Sequence, residues 1–135
     1  MAGFCLTESE YDRGTEIPAH RHSNAYLSFP LEGGYRELIG MESRLRVAGA
    51  VAFHPADEWH SDSFSDGRGR VLSVELSSAW LAALPVQRDR FARSSEMVGG
   101  AASALMHRVH VEFCHWDPGA EIAVQGLLLI VQRRV

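Results

Sequence analysis

Apolar and polar residues alternate in short runs through the first half of the chain. The runs are separated by the turn signals DRG, EGG, AG, HPAD and SDGRG. A period of two marks half-buried strands, and turns about every ten residues favour an antiparallel sandwich or barrel over crossover units. The pattern changes near Ser77. SSAWLAAL opens on a serine suited to a helix cap and stops at Pro85, which predicts one short helix. A polar, arginine-rich loop is expected from roughly Gln87 to Ser95. In GGAASALMHRVHVEFCHW, Leu105, Val109 and Phe113 recur at steps of four and predict an amphipathic helix. DPG breaks it, with Asp117 placed to cap and Pro118 suited to a first helical turn. The last segment, AEIAVQGLLLIVQRRV, reads as a final helix whose arginines lie at the end the dipole favours. The expectation is one domain over residues 1–135, a β-barrel over 1–77 followed by a helical extension of two or three helices over 78–135. There is no internal repeat and no low-complexity stretch.

Composition narrows the function more than the fold. The 135 residues suffice for one domain with a real core. A net charge of −4 leaves no electrostatic footprint for nucleic acid. No lysine occurs, so apart from histidine every basic side chain is arginine. The N-terminal residues have no basic flank and no apolar stretch of signal length, and GLLLIV is too short to span a bilayer, so a cytoplasmic protein without a membrane partner is expected. Cys5 and Cys114 form no spaced motif, and free thiols are the expectation.

The candidate chemistry lies in PAHRHSNAYLSFPLEGGYRE. If Ala19 to Leu31 is extended, one face carries His20, His22, Asn24, Tyr26 and Ser28, and the other Arg21, Ser23, Ala25, Leu27, Phe29 and Leu31. The second face becomes an apolar packing surface; the first is polar and aromatic, which suits water or a pocket wall. A second histidine cluster, GAVAFHPADEWHSDSF, carries His54, Glu58, His60 and Asp62. Three histidines from two strands suit a divalent transition metal with an open position, whereas a lone strand histidine is usually a hydrogen-bonded packing residue. His107, His110 and Cys114 share a helix face and read as a weak zinc set or as the mixed border of an amphipathic helix. Trp80 reads as helix packing, and Trp59, beside His60, has the better claim to a pocket than Trp80 or Trp116. Arg88, Arg90 and Arg93 read as a solvated loop before a phosphate patch, and Ile122 and Leu129 as a stripe that packs on the barrel, on a second copy, or on both.

These residues resemble the cupin superfamily. Its first motif is met by Gly14, His20, His22 and Gly33 at the family's spacing, with Tyr26 where the family has glutamate. Its second is met by Gly49, Pro55 and His60, with Asp57 in place of a glycine and Phe64 in place of an asparagine. The resemblance implies a mainly β fold, a cupin-type double-stranded β-helix or jelly-roll barrel. It also implies that His20, His22 and His60 are the metal ligands, with zinc the expected ion because the anionic ligand is gone.

Within the cupins, PAHRHSNAYLSFPLEGGYRE, GAVAFHPADEWHSDSF, RVLSVELSSAWLAAL, HRVHVEFCHWD and AVQGLLLIVQRRV resemble the N-terminal sensor domain of AraC-type transcriptional regulators. That resemblance implies a small-molecule effector in the barrel, and Tyr26, Glu58 and Trp59 are the expected contacts. It further implies a homodimer formed through the C-terminal helices. DNA would be bound only by a helix-turn-helix region, which this sequence does not contain, so a sensor portion of a longer regulator is expected. The alternative is a small metal-dependent cupin enzyme, in which the three histidines activate water or bind dioxygen and Tyr26 or Glu58 is the acid or base.

Overall fold

The computed structural model describes residues 3–85 and 88–134. Gln87, where the arginine-rich loop was expected to begin, and Val135, where the final helical segment was expected to end, lie outside the described residues. Eight strands come first: β1 (Phe4–Tyr11), β2 (Glu16–His20), β3 (Ala25–Glu32), β4 (Gly34–Ile39), β5 (Glu42–Val47), β6 (Ala50–His54), β7 (His60–Ser63) and β8 (Gly69–Leu76). After them come α1 (Ser78–Ala82), a 3-10 turn (Arg88–Phe91), β9 (Ser95–Val98), α2 (Gly100–Cys114) and α3 (Ala120–Gln132). The strands make two antiparallel sheets, a larger one in the order β1-β8-β3-β6-β9 and a smaller one in the order β2-β7-β4-β5.

Strand periodicity divides the larger sheet into two environments. On β3, Leu27 and Phe29 are fully buried against the helices, while Tyr26 and Ser28 face the barrel interior. On β8, Leu72, Val74 and Leu76 join the same helix-facing core, while Ser73 and Glu75 face inward. Ala102, Met106 and Val109 of α2 and Val124, Leu128 and Val131 of α3 cover that outer face. The main hydrophobic core therefore lies between sheet and helices, and the barrel interior is left polar. A smaller apolar cluster of Tyr35, Phe64 and Val71, with Tyr11 stacked on Phe64 at 4.4 Å, occupies one part of the interior.

Local signals explain the boundaries. The Ser77 side chain accepts a hydrogen bond from the Trp80 backbone N–H at 3.0 Å and caps α1. Asp117 accepts from the Gly119 N–H at 2.9 Å, a turn that precedes α3 rather than a cap on it. Gly33 turns β3 into β4 at φ +70°, and a Cβ there would lie 2.3 Å from the Arg68 carbonyl oxygen. The residues after Ser77 are not purely helical: β9 pairs with β6 from Ala50↔Val98 to Phe53↔Ser95 and extends the larger sheet.

β9 also carries one end of the ion-pair cluster that joins the two sheets. Arg46 of β5 donates from Nε to Glu37 Oε1 on the neighbouring β4 at 2.9 Å, and its Nη2 is 2.8 Å from the same oxygen. Its Nη1 reaches Glu96 of β9 at 2.6 Å. Glu37 and Arg46 are fully buried. Desolvating these charges is costly, and the cluster is tolerated because each is matched at short range. Removing one partner of such a set strands the other. Arg46→Met is therefore expected to lower the unfolding free energy in urea by about 3–5 kcal/mol. A loss under about 1 kcal/mol would mean the cluster is hydrated and contributes little.

Candidate metal and ligand site

Three imidazoles meet inside the barrel. His20 ends β2, His60 begins β7, and the two stand opposite each other in the ladder, next to an irregularity after Ile17. Their rings are 4.2 Å apart, and His22, on the loop into β3, lies 4.9 Å from His20 and 5.4 Å from His60. The loops carrying the two halves are tied by a backbone bond from Asp57 N–H to the His22 carbonyl at 2.8 Å. Asp57 stands at the motif position expected to be glycine and has φ +63°, the only such non-glycine among the described residues. Aspartate tolerates that left-handed conformation better than most side chains, which is how the turn survives the exchange.

The rings are held by partners behind them. His20 Nδ1 is 2.8 Å from the Pro18 carbonyl, which fixes its proton there and leaves Nε2 free. His60 Nδ1 lies 3.0 Å from Glu37 Oε2 and 3.4 Å from Asp62 Oδ1, leaving Nε2 to face Tyr26 Oη at 3.2 Å. Burial works against a charge on His60, but Asp62 and Glu37 outweigh it and push its pKa up to about 9. Burial raises the Glu37 carboxyl as well, yet His60, His54 and Arg46 more than offset this and hold it well below the usual carboxylate range. His22 is shifted the other way by burial and then by its two histidine neighbours, so its lone pairs are available. Tyr26 is pushed above the ordinary phenol value by burial and by the charge of Glu37, so it serves as a hydroxyl and not as an anionic ligand.

The donor set fits a zinc ion. The ligand atoms of His20, His22 and His60 all lie within 4.8 Å of one another. Two of the three rings are already oriented by a carbonyl or carboxylates on the far nitrogen, the arrangement that fixes tautomer and raises basicity in metal sites. Zinc takes three imidazoles and keeps a fourth position open.

The site opens into a cavity of about 300 Å³. One end is lined by His20, His22, His60 and Tyr26, the other by Tyr11, Ile17, Tyr35, Phe64 and Val71. Thr7, Ser9, Ser28 and Ser73 supply hydroxyls along the wall. Of the three effector contacts expected from the sequence, Tyr26 lines this cavity. Trp59 is 56% exposed under the Arg21 guanidinium, 5.2 Å from its centroid, and does not line it. Glu58 is also absent from the lining and faces His54, its Oε1 3.6 Å from Nδ1. Trp59 belongs to the turn that precedes β7, so its ring is set by the Arg21 contact and not by the strand that carries His60.

The residue missed was Glu37. The motif glutamate was expected to be lost at Tyr26, with Glu58 the acid expected at the site; Glu37 supplies a carboxylate instead, behind His60 and not beside the imidazole triad. The available signal was alternation. Tyr35 and Glu37 share one face of β4, and an acid on an inward face needs a partner, which the next strand carries as Arg46.

No protein-family model and no curated protein matches the sequence. Solved structures do. A cupin superfamily protein from Desulfitobacterium hafniense matches with TM-score 0.52 and 17% identity, over 56% of this chain and 69% of its own. A cupin 2 conserved barrel domain protein from Leptotrichia buccalis matches with TM-score 0.53 and 16% identity, over 57% and 37%. This chain has the cupin fold. A second kind of match extends beyond the cupin barrel into the helices. ToxT from Vibrio cholerae, as the apo K231A variant, matches with TM-score 0.70 and 8% identity, over 94% of this chain. The ToxT structure with bound unsaturated fatty acid matches with TM-score 0.67 and 9% identity, over 96%. The chain spans about half of ToxT, 53% and 52% of the two chains.

The raised His60 value can be read directly. In chelator-treated protein, histidine NMR signals should show one ring titrating near pH 9, lost in His60→Gln. A raised value stabilises the fold below the ordinary histidine value of 6.5, and that contribution disappears as pH rises through about 9. Asp62→Asn should move the titration down; a wild-type His60 that titrates near 6.5 would contradict the charge arrangement described.

Proposed function

We propose that this chain is the effector-sensing unit of an AraC-type transcriptional regulator: it binds a small molecule in the cupin barrel and dimerises through its helices. The observation that carries this reading is the extent of the structural match. The two stand-alone cupins cover 56–57% of the chain, whereas ToxT, an AraC-family regulator, covers barrel and helices together at 94–96%. The sequence resemblance to AraC-type sensor domains favours the same class.

The effector class follows from the lining. Imidazoles and the Tyr26 hydroxyl at one end and aromatic rings at the other suit a small acid with an apolar body, its head toward His20, His22 and His60, whose donors must outweigh the Asp62 and Glu75 carboxylates that also line the cavity. A zinc ion held by these three would supply a Lewis-acidic anchor for such a head group. Without it, the charge on His60 serves the same purpose. ToxT has been seen with an unsaturated fatty acid bound, and a carboxylic acid is the first class to try here.

Occupancy would reach the helices through the buried charges. A ligand on His60 acts on Glu37, Glu37 on Arg46, and Arg46 on Glu96 of β9, which leads through Gly99 and Gly100, at φ +70° and +69°, into α2. The ligand must bind the two helix arrangements with different affinity for this to be a switch. On α3, Ile122 is 75% exposed and Leu129 and Ile130 are also exposed, while Val124, Leu128 and Val131 pack on α2 and the barrel. That leaves an apolar stripe for a second copy. Among the described residues no helix is long and apolar enough to cross a membrane.

A second reading, a metal-dependent cupin enzyme, draws on the histidine triad and on the match to the DMSP lyase DddQ from Ruegeria pomeroyi. That match has TM-score 0.53 and 18% identity, over 71% of this chain and 43% of its own. The two readings part in one experiment. A panel of C4 to C16 carboxylic acids is followed by thermal shift and by mass analysis of the recovered acid. The sensor reading expects at least one acid to raise the melting temperature and to come back unchanged. Ser73→Phe, which fills the cavity wall, should abolish the shift while leaving the circular dichroism intact. Conversion of the acid by zinc- or iron-loaded protein would move the assignment to the enzyme. No shift with any acid would remove the proposed effector class.

The dimer is tested separately. Ile122→Glu with Leu129→Glu should turn a dimer into a monomer in sedimentation, with little loss of stability because both side chains are exposed. A wild-type chain that sediments as a monomer at high micromolar concentration would refute the helical seam.

A further inference from the structure

A second group of metal-ligating side chains lies on the outer face of the larger sheet, away from the barrel cavity. His110 and Cys114 are four residues apart on α2 and so share one helix face. Glu8 of β1 points toward that face, while its neighbours Thr7 and Ser9 line the cavity on the other side of the strand. His107, which the sequence groups with His110 and Cys114, is engaged elsewhere: its ring packs edge-on against Phe29 at 4.8 Å.

The decisive geometry is at one atom. His110 Nε2 is approached by Glu8 Oε1 at 2.6 Å and by Cys114 Sγ at 3.4 Å. A ring nitrogen carries at most one proton, so it cannot donate fully to both. In a thiol–imidazole–carboxylate nucleophile the acid and the thiol occupy opposite ring nitrogens, so this is not that device. Oxygen, nitrogen and sulfur instead converge, all within 4.8 Å of one another, as ligands do around a shared cation.

We propose that Glu8, His110 and Cys114 form a second metal site, distinct from the barrel histidines, that takes a zinc-class dication and fastens α2 to the first strand. A carboxylate, an imidazole and a thiolate are a donor set zinc accepts, and the two anions balance its charge. The Glu8 carboxylate is oriented by its other oxygen, 3.5 Å from Arg70 Nη1, the outer-shell support such ligands need. Cys114 is exposed, so an ion can enter and water can complete the coordination. The site does not depend on what the barrel binds.

Cobalt(II) titration of the whole chain tests this, because only a thiolate ligand gives a thiolate-to-cobalt charge-transfer band. Wild type should develop the band and lose it when zinc is added. Cys114→Ser should abolish it, and His110→Ala should weaken binding by more than about 100-fold, beyond the roughly 10–100-fold that an outer-shell partner contributes. Glu8→Gln should weaken binding and keep the band. Cys5→Ser, which removes the thiol lining the cavity, and His22→Ala, which disables the barrel triad, should leave the band and its intensity at saturation unchanged. Circular dichroism of each variant controls for folding, and Cys114 and Glu8 are exposed enough to be replaced without loss of core. No band in wild type, or a band that survives Cys114→Ser, would overturn the proposal, whatever the fate of the barrel site.

Discussion

A buried guanidinium closes this barrel where no backbone can. β5 is an edge of the smaller sheet and β9 is an edge of the larger one, and the ladders end at both. Edge strands present unpaired backbone groups and need some other closure. Arg46 on β5 reaches Glu96 on β9, and its remaining donors hold Glu37 on β4. The planar fork of arginine suits this better than lysine would, since it meets two carboxylates at once with fixed geometry. Glu37 in turn faces His60. One cluster thus joins the sheets and aims an imidazole into the cavity. Neither end can be altered without exposing charge in a low-dielectric interior.

The opposite edges, β1 and β2, are arranged differently. Both face the cavity, β1 through Cys5, Thr7, Ser9 and Tyr11 and β2 through Ile17 and His20. Their lower ends are held by the Tyr11–Phe64 stack and by the backbone bonds Gly14 N–H to the Phe64 carbonyl and Phe64 N–H to the Thr15 carbonyl. The barrel is therefore sealed by charge on one side and lined for a ligand on the other.

Much of this was legible where information is local. The two faces of residues 19–31, the Ser77 cap, the steps of four on α2 and the glycine turns each follow from periodicity or from one residue's conformational freedom. The convergence of His20, His22 and His60 was legible only through motif spacing, because nothing in strand alternation says which strands become neighbours. What was not legible depends on distant partners. Glu37 and Arg46 lie in plain view on one hairpin, yet their meaning comes from His60 and from Glu96, fifty residues beyond Arg46. β9 was hidden because four residues, SEMV, three half-buried and one exposed, carry too short a pattern to stand out from a polar loop. Glu58 and Trp59 lie in the irregular turn before β7, where contacts with His54 and Arg21, and not strand alternation from His60, set their directions.

The placement of the core explains how such a site can change its chemistry without losing the fold. In most barrels of this size the interior is filled by side chains and carries much of the stability. Here Leu27, Phe29, Val51, Phe53, Leu72, Val74 and Leu76 face the helices, and burial of each such side chain contributes about 1.5–3 kcal/mol outside the barrel. Ser73 and Thr7, on the inward face of the same sheet, contribute little packing and are free to be tuned for a ligand, whereas Ser28 is tied to His54 and Tyr35. One layer of backbone then separates the cavity from the helical core. Where Ser28 meets the interior, the next residue, Phe29, meets His107 of α2. A shift of that strand by a fraction of an ångström on the ligand side is a shift of the same size under the helices, because close-packed interiors transmit displacement rather than absorb it.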